Sequence, residues 1–248
     1  MTNKISLALY GAIGSGKTST ANSIKRKFNP IDKVEIFSFA SGLKRLAEEI
    51  LNRPINKGTD RLFVAHVGQG IRSEILKFMG PRYLEEFLLK STNQEMFTDP
   101  NDHYTGYHII ESNFRERLRI SVRIFTDNNP TWGHQNFWVE QTVKEIQNSD
   151  CKIAVIDDLR FRAEYKALED IGFSFAETFC PQEIREARII ARDGKYNAES
   201  EWHPSELEWP HFASSFRIKT FDTLVTDYQY ECPSMDGQLE VLFYGKSD

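Results

Sequence analysis

The stretch Leu7-Ala8-Leu9-Tyr10-Gly11-Ala12-Ile13-Gly14-Ser15-Gly16-Lys17-Thr18-Ser19-Thr20 constrains this chain more than any other, because an apolar run feeds a glycine-rich turn that opens directly into a helical pattern. Its fixed positions complete the P-loop spacing. In such a turn Gly11, Gly14 and Gly16 let the backbone curl so that successive N–H groups, with Ser15 and Ser19 in the same cradle, point at phosphate oxygens. Lys17 supplies a point charge near the β- and γ-phosphates, and Thr18 offers a hydroxyl to Mg²⁺. The spacing implies a nucleoside triphosphate. A dinucleotide turn would read G-x-G-x-x-G, whereas these glycines fall as G-x-x-G-x-G followed by Lys-Thr, which that alternative does not explain.

Periodicity places the turn in a fold. Residues 4–10 read as a strand and 17–28 as a helix stopped by Asn29-Pro30; 34–40 alternate as a second strand, and 42–51 repeat with helical spacing before Pro54. Strand, helix, strand, helix implies a parallel sheet. The expected architecture is α/β: a P-loop NTPase-type three-layer α/β/α domain over 1–248, with a mostly helical, lid-like insertion at 53–115. Within the insertion, helical stretches at 71–79 and 81–90 are separated by Gly80-Pro81, and 91–106 is turn-rich.

Beyond it, 111–125 is periodic and cationic, 127–134 is a loop and 136–148 a helix. Lys152-Ile153-Ala154-Val155-Ile156-Asp157-Asp158 is a continuous apolar run ending in two acids, as expected of a central parallel strand whose C-terminal end meets a ligand. An acid there, Asp157 or Asp158, holds Mg²⁺ or orients a phosphate, and Arg160 forks onto a substrate phosphate. The competing reading is internal pairing among Asp158, Arg160 and Glu164 that caps the next helix. That helix spans 164–171, a strand follows at 173–179 and another helix at 183–192; 223–226 and 239–243 could each be a short strand or helix.

Arg115, Arg117, Arg119 and Arg123 fall within nine residues. One arginine is expected beside a transferred phosphoryl group, but composition does not choose among them, and a solvated helix face explains the run equally well. Arg185, Arg188 and Arg192 suit a lid over phosphates or, by preference, a surface helix. His203 and Glu206 in His-Pro-Ser-Glu read as structural. Trp132 and Trp138 could stack on a base, with core packing the stronger reading. Lys44 reaches a substrate phosphate or lies along the surface.

The net charge of −5 argues against a nucleic-acid-coating protein, since backbone binding needs an excess of Lys and Arg on one face. Cys151, Cys180 and Cys232 are odd in number and lack C-x-x-C spacing, which supports neither a disulfide framework nor a zinc site and points to buried, inert thiols. The run before Gly11 is too short for a secretory segment, and none elsewhere approaches a membrane span. A soluble chain of a reducing compartment is expected, with no nucleic-acid or membrane partner.

The order of motifs along most of the chain resembles the bacteriophage deoxynucleoside monophosphate kinases. The likeness rests on the P-loop with its following Thr-Ser-Thr, on Phe39-Ala40-Ser41-Gly42-Leu43-Lys44, and on Arg119 eight residues before Asp127 with Trp138-Val139 beyond. It continues through Asp158-Leu159-Arg160-Phe161-Arg162-Ala163-Glu164 and His203-Pro204-Ser205-Glu206.

The resemblance implies ATP and Mg²⁺ at Lys17 and Thr18, transfer to a deoxynucleoside monophosphate, and a charge-stabilising role for Arg119. It implies a substrate side formed by Lys44, Arg123, Thr126, Trp138, Asp158, Arg160 and Glu164. It also implies a small-molecule enzyme of the cytoplasm, the host's if viral, acting singly or as a homodimer. Val122 and Phe125 stand where the family's arginine motif usually has Gln and Gly, so Arg119 and Arg123 both stay open for the catalytic position; Thr18 stands where Asp is frequent. The rivals are a kinase of another small acceptor and a nucleotide-binding switch. A GTPase reading has only Asn56-Lys57-Gly58-Thr59-Asp60, one residue too long for the base-reading stretch.

Overall fold

The computed structural model describes residues 4–55, 60–90, 107–194, 196, 204–214, 216–220 and 235–244. The expectations for 56–59, 91–106, His203, 223–226 and Cys232 lie outside these residues. In chain order the elements are β1 (Ile5–Tyr10), α1 (Lys17–Phe28), β2 (Val34–Phe37), α2 (Ser41–Leu51), α3 (Arg61–Ile71), α4 (Glu74–Met79), α5 (Pro81–Leu89), α6 (Tyr107–Asn128) and α7 (Phe137–Asn148). There follow β3 (Ile153–Ile156), α8 (Arg162–Asp170), β4 (Ser174–Phe179), α9 (Gln182–Asp193), α10 (Pro204–Leu207), a 3₁₀ turn (Trp209–His211), β5 (Phe216–Lys219) and α11 (Met235–Tyr244). The chain divides into two compact units, Met1–Phe39 with Thr142–Asp248, and Ala40–Gln141.

The first unit holds a five-stranded sheet in the order β2-β3-β1-β4-β5, parallel throughout. The α/β class is therefore observed, with helices flanking the sheet as in a three-layer α/β/α arrangement. Hydrophobic patterning explains the centre: all four residues of β3 and the last four of β1 are buried, as a strand covered on both faces requires. Leu7, Leu9, Val34, Ile153, Val155, Ala176 and Ile218 form one core with Ala21, Ile24 and Phe28 of α1 and Leu239 of α11. On α8, Tyr165 stacks on Phe175 of β4 at 4.1 Å between ring centroids.

β1 lies between β3 and β4, with Leu7 level with Val155 on one side and Ser174 on the other. The chain leaves β1 for the β2 side of the sheet and later passes from β3 to β4 across it. In an open parallel sheet such a switch point leaves a crevice at the C-terminal strand ends, which is where loops gather a ligand. The turn at 11–16 follows β1, and Asp157 to Arg160 follow β3.

The second unit is helical. Its core joins Leu46, Ile50, Phe63, Val67, Ile71, Leu84, Leu88, Phe114, Leu118, Val122, Phe137 and Trp138. The fully buried carboxylate of Asp60 is held by Nη1 and Nη2 of Arg53, at 2.5 and 2.8 Å. This unit covers Ala40–Gln141; α4 and α5 fall within the stretches expected at 71–79 and 81–90, whereas α3 has no counterpart in the sequence expectations. β5 has no counterpart in the sequence reading, and residues 239–243 belong to a helix.

Candidate functional site

Tyr10 closes β1 and the chain turns at Gly11, whose φ of +137° places it where only glycine is at ease. A Cβ there would stand 2.4 Å from the Thr178 carbonyl oxygen of β4. Gly16, with φ +93°, is the N-cap of α1; no side chain caps that end and no acid occupies its first turn. The N-terminal N–H groups of a 12-residue helix are thus left to solvent or an anion.

The carbonyls of the turn are pinned one by one. Lys17 Nζ donates to Gly11 O at 2.5 Å and Ala12 O at 3.1 Å, and Arg185 Nη1 of α9 donates to Ile13 O at 3.1 Å. The Thr220 hydroxyl, just past β5, donates to Ser15 O. The Thr178 hydroxyl donates to Tyr10 O at 3.0 Å, so in the 2.7 Å contact between Thr178 and Ser15 the serine is the donor. Because a trans peptide directs its N–H opposite to its C=O, fixing these carbonyls also fixes the directions of the turn's N–H groups. Ser15, only 1 % exposed, acts as a buried support of the turn, whereas Thr18 and Ser19 are exposed.

Lys17 is buried, and its ammonium is pushed down to about 8, first by burial and then by the Arg160 guanidinium; Glu206, Asp158 and Asp157 oppose the shift. The structure therefore brings Lys17 together with the residues at the end of β3. Asp158 there ties down the end of β2: its carboxylate accepts from the Ser38 hydroxyl at 2.5 Å and the Phe39 N–H at 2.9 Å. Glu164 Oε2 accepts from the N–H groups of Arg160 and Phe161 at 2.9 and 3.0 Å, capping α8. Burial and the Asp158 charge push its carboxyl up to about 8. The capping alternative thus describes Glu164 better than a substrate contact.

Arg160 points the other way. Its Nη1 lies 2.5 Å from Glu206 Oε1, while Glu206 Oε2 accepts from the Ile13 N–H of the turn at 2.8 Å. Aromatic packing secures the segment carrying Glu206: Trp209 and Phe212 meet the Tyr10 ring at 6.2 and 5.6 Å, and Phe212 also stacks on Tyr165 at 4.9 Å. The structural role expected for Glu206 is present, but its position against the turn was not foreseen. Thr178, Thr220 and Arg185 were likewise missed as supports of the turn, and Arg188, expected at the surface, donates to Thr220 O.

Lys44, Arg119, Arg123, Thr126 and Trp138 belong to the second unit. Lys44 is exposed near the start of α2. Arg119 and Arg123 are exposed on α6, where Arg119 pairs with Glu116 at 2.7 Å and Arg123 approaches Asp127 at 3.9 Å. The buried Thr126 hydroxyl donates to Arg123 O at 3.1 Å. Trp138 is 8 % exposed within that unit's core, and a Cβ on Gly42 would stand 2.9 Å from its ring, so packing explains this tryptophan. Cys151 and Cys180 are buried free thiols, as expected.

Among the described residues no three His, Cys, Asp or Glu side chains gather as metal ligands. The Thr18 hydroxyl, exposed at the start of α1, and the half-buried Asp157 carboxylate after β3 are hard oxygen donors of the kind that suits Mg²⁺, which keeps several waters and completes its shell from phosphates.

No family model matches the chain, and no curated protein does. Among solved structures, TT1252 from Thermus thermophilus is similar at 14% identity and a TM-score of 0.45, covering 99% of this chain and 100% of that one. No described helix is long and apolar enough to cross a membrane.

Proposed function

We propose that the chain is a P-loop enzyme, a deoxynucleoside monophosphate kinase that moves the γ-phosphoryl group of ATP to a dNMP. The observation that carries this reading is the convergence of Lys17, held inside the glycine turn after β1, with Asp157, Asp158 and Arg160 after β3. An anion-binding turn beside a second cationic group fits a reaction between two phosphates. The motif order shared with the phage kinases supplies the substrate class.

In this reading the turn's N–H groups and Lys17 bind and orient the triphosphate. Arg160 holds the acceptor phosphate, which needs no strong general base because it is already ionised. Asp158 keeps the end of β2 in place through Ser38 and Phe39. Thr18 and Asp157 would hold Mg²⁺, which when bound neutralises charge on the phosphate oxygens. Arg119 or Arg123 is the charge-stabilising arginine by likeness, and Lys44 a further phosphate contact. The setting is cytoplasmic, with the nucleotides as the partners.

Steady-state ADP formation measured against dNMPs, NMPs and nucleosides tests the proposal. Stimulation by one or more dNMPs is expected. Stimulation by nucleosides alone would replace this reading with a kinase of another acceptor, and slow turnover indifferent to every acceptor would replace it with a nucleotide-binding switch.

A further inference from the structure

The carboxylate of Glu206 spans two donors that a phosphate would use, the Ile13 N–H of the turn and the Arg160 guanidinium. Its side chain is only 6% exposed, and the cluster of Trp209, Phe212, Tyr10 and Tyr165 fixes the backbone that carries it. Lys17 is likewise turned onto carbonyls of its own loop. Both cationic groups of the site thus donate to groups of the protein itself.

A phosphoryl group brought to this turn places negative charge beside the Glu206 carboxylate. In a partly buried site like charges repel strongly, so the phosphoryl group and the carboxylate compete for the Ile13 N–H and for the Nη1 edge of Arg160. A polyphosphate offers more charge and more oxygens than one carboxylate and can take the donors over.

We propose that Glu206 sets the affinity of the site: it is an internal anion that occupies the Ile13 N–H of the turn and one donor of Arg160, and the polyphosphate that enters the turn must displace it. The inference rests on the reading of the turn as a triphosphate site and adds to it what holds the turn in the absence of ligand. The ligand must first break the bonds of Glu206 to Ile13 and Arg160, and the free energy of those bonds is subtracted from the observed affinity.

Isothermal titration of the full chain with inorganic tripolyphosphate and Mg²⁺ tests it, comparing wild type, Glu206→Gln and Lys17→Ala. Glu206→Gln keeps the shape, gives up the charge and sets an amide against Arg160; since a charge-assisted hydrogen bond contributes ~1.5–3 kcal/mol, binding should tighten about tenfold or more. Lys17→Ala should weaken it.

Equal or weaker binding by Glu206→Gln, with Lys17→Ala still weakened, overturns the role of Glu206 and leaves the triphosphate site standing. Binding that ignores Lys17→Ala overturns both. Thermal melting shows whether Glu206→Gln is folded. If it is not, Glu206→Asp, one methylene too short to span both donors, should tighten binding by a smaller factor, and unchanged affinity there overturns the proposal.

Discussion

The lysine of the turn makes a quantitative demand on nucleotide binding. Burial and the neighbouring Arg160 bring Lys17 down to about 8. In the proposed complex a triphosphate would surround the same nitrogen with negative charge and restore the charged form, so its pKa should rise on binding and the complex should take up a proton. With a free-state value near 8, the neutral fraction available for uptake is about 0.1 at pH 7, about 0.5 at pH 8 and about 0.9 at pH 9.

Affinity should accordingly fall about twofold between pH 6.5 and pH 8 and about tenfold by pH 9. Titration calorimetry with ATP in two buffers of different ionisation enthalpy reads the uptake directly, and Lys17→Met supplies the baseline from the nucleotide's own titration. Uptake that is absent, or the same in Lys17→Met, together with a flat affinity across this range, would refute the claim that a buried lysine in this turn meets the phosphates.

Other consequences follow from the same geometry. Glu164 carries a raised pKa, so the stability it contributes is full below pH 4.5 and is lost as pH rises toward 8. Glu164→Gln, which keeps an oxygen for the Arg160 and Phe161 N–H groups, should match wild type in urea denaturation near pH 4.5 and exceed it by on the order of 3–5 kcal/mol at pH 8. Equal stabilities at both pH values would contradict it. Gly11→Ala forces a side chain into φ +137° against the Thr178 carbonyl and should lower stability by ~1–3 kcal/mol in thermal melting. Arg185→Ala frees the Ile13 carbonyl and should raise KM for ATP about tenfold with a smaller change in kcat, because it loosens the turn rather than removing a charge from the transferred group.

Local structure and the approach of the β3 end to the turn were legible in the sequence, whereas the side chains that brace the turn from later segments were not. Helix α1 runs over Lys17–Phe28 as its spacing and the following Asn29-Pro30 require, and β3 lies inside the apolar run before Asp157. Both signals are carried by adjacent residues. β5 escaped because Phe216-Arg217-Ile218-Lys219 is a four-residue edge strand with one fully buried side chain, too short to establish a period. The partners of the turn escaped for another reason. Glu206 is 193 residues from Ile13, and Arg185 is 172 residues away, so only the crossing of β3 to β4 over β1 makes them neighbours. The capping by Glu164 was half visible: the acid stands three residues after Phe161, but Phe161 lacks the hydroxyl that marks a capping box in sequence.

The most direct measurement follows the phosphorus atom itself. ATP labelled with ³²P at the γ position, incubated with the protein, Mg²⁺ and each dNMP in turn, should deliver its label to the β-phosphate of a dNDP, with Lys17→Ala delivering none. Label that appears only as inorganic phosphate whichever acceptor is present would contradict the account, since the turn would then serve hydrolysis rather than transfer.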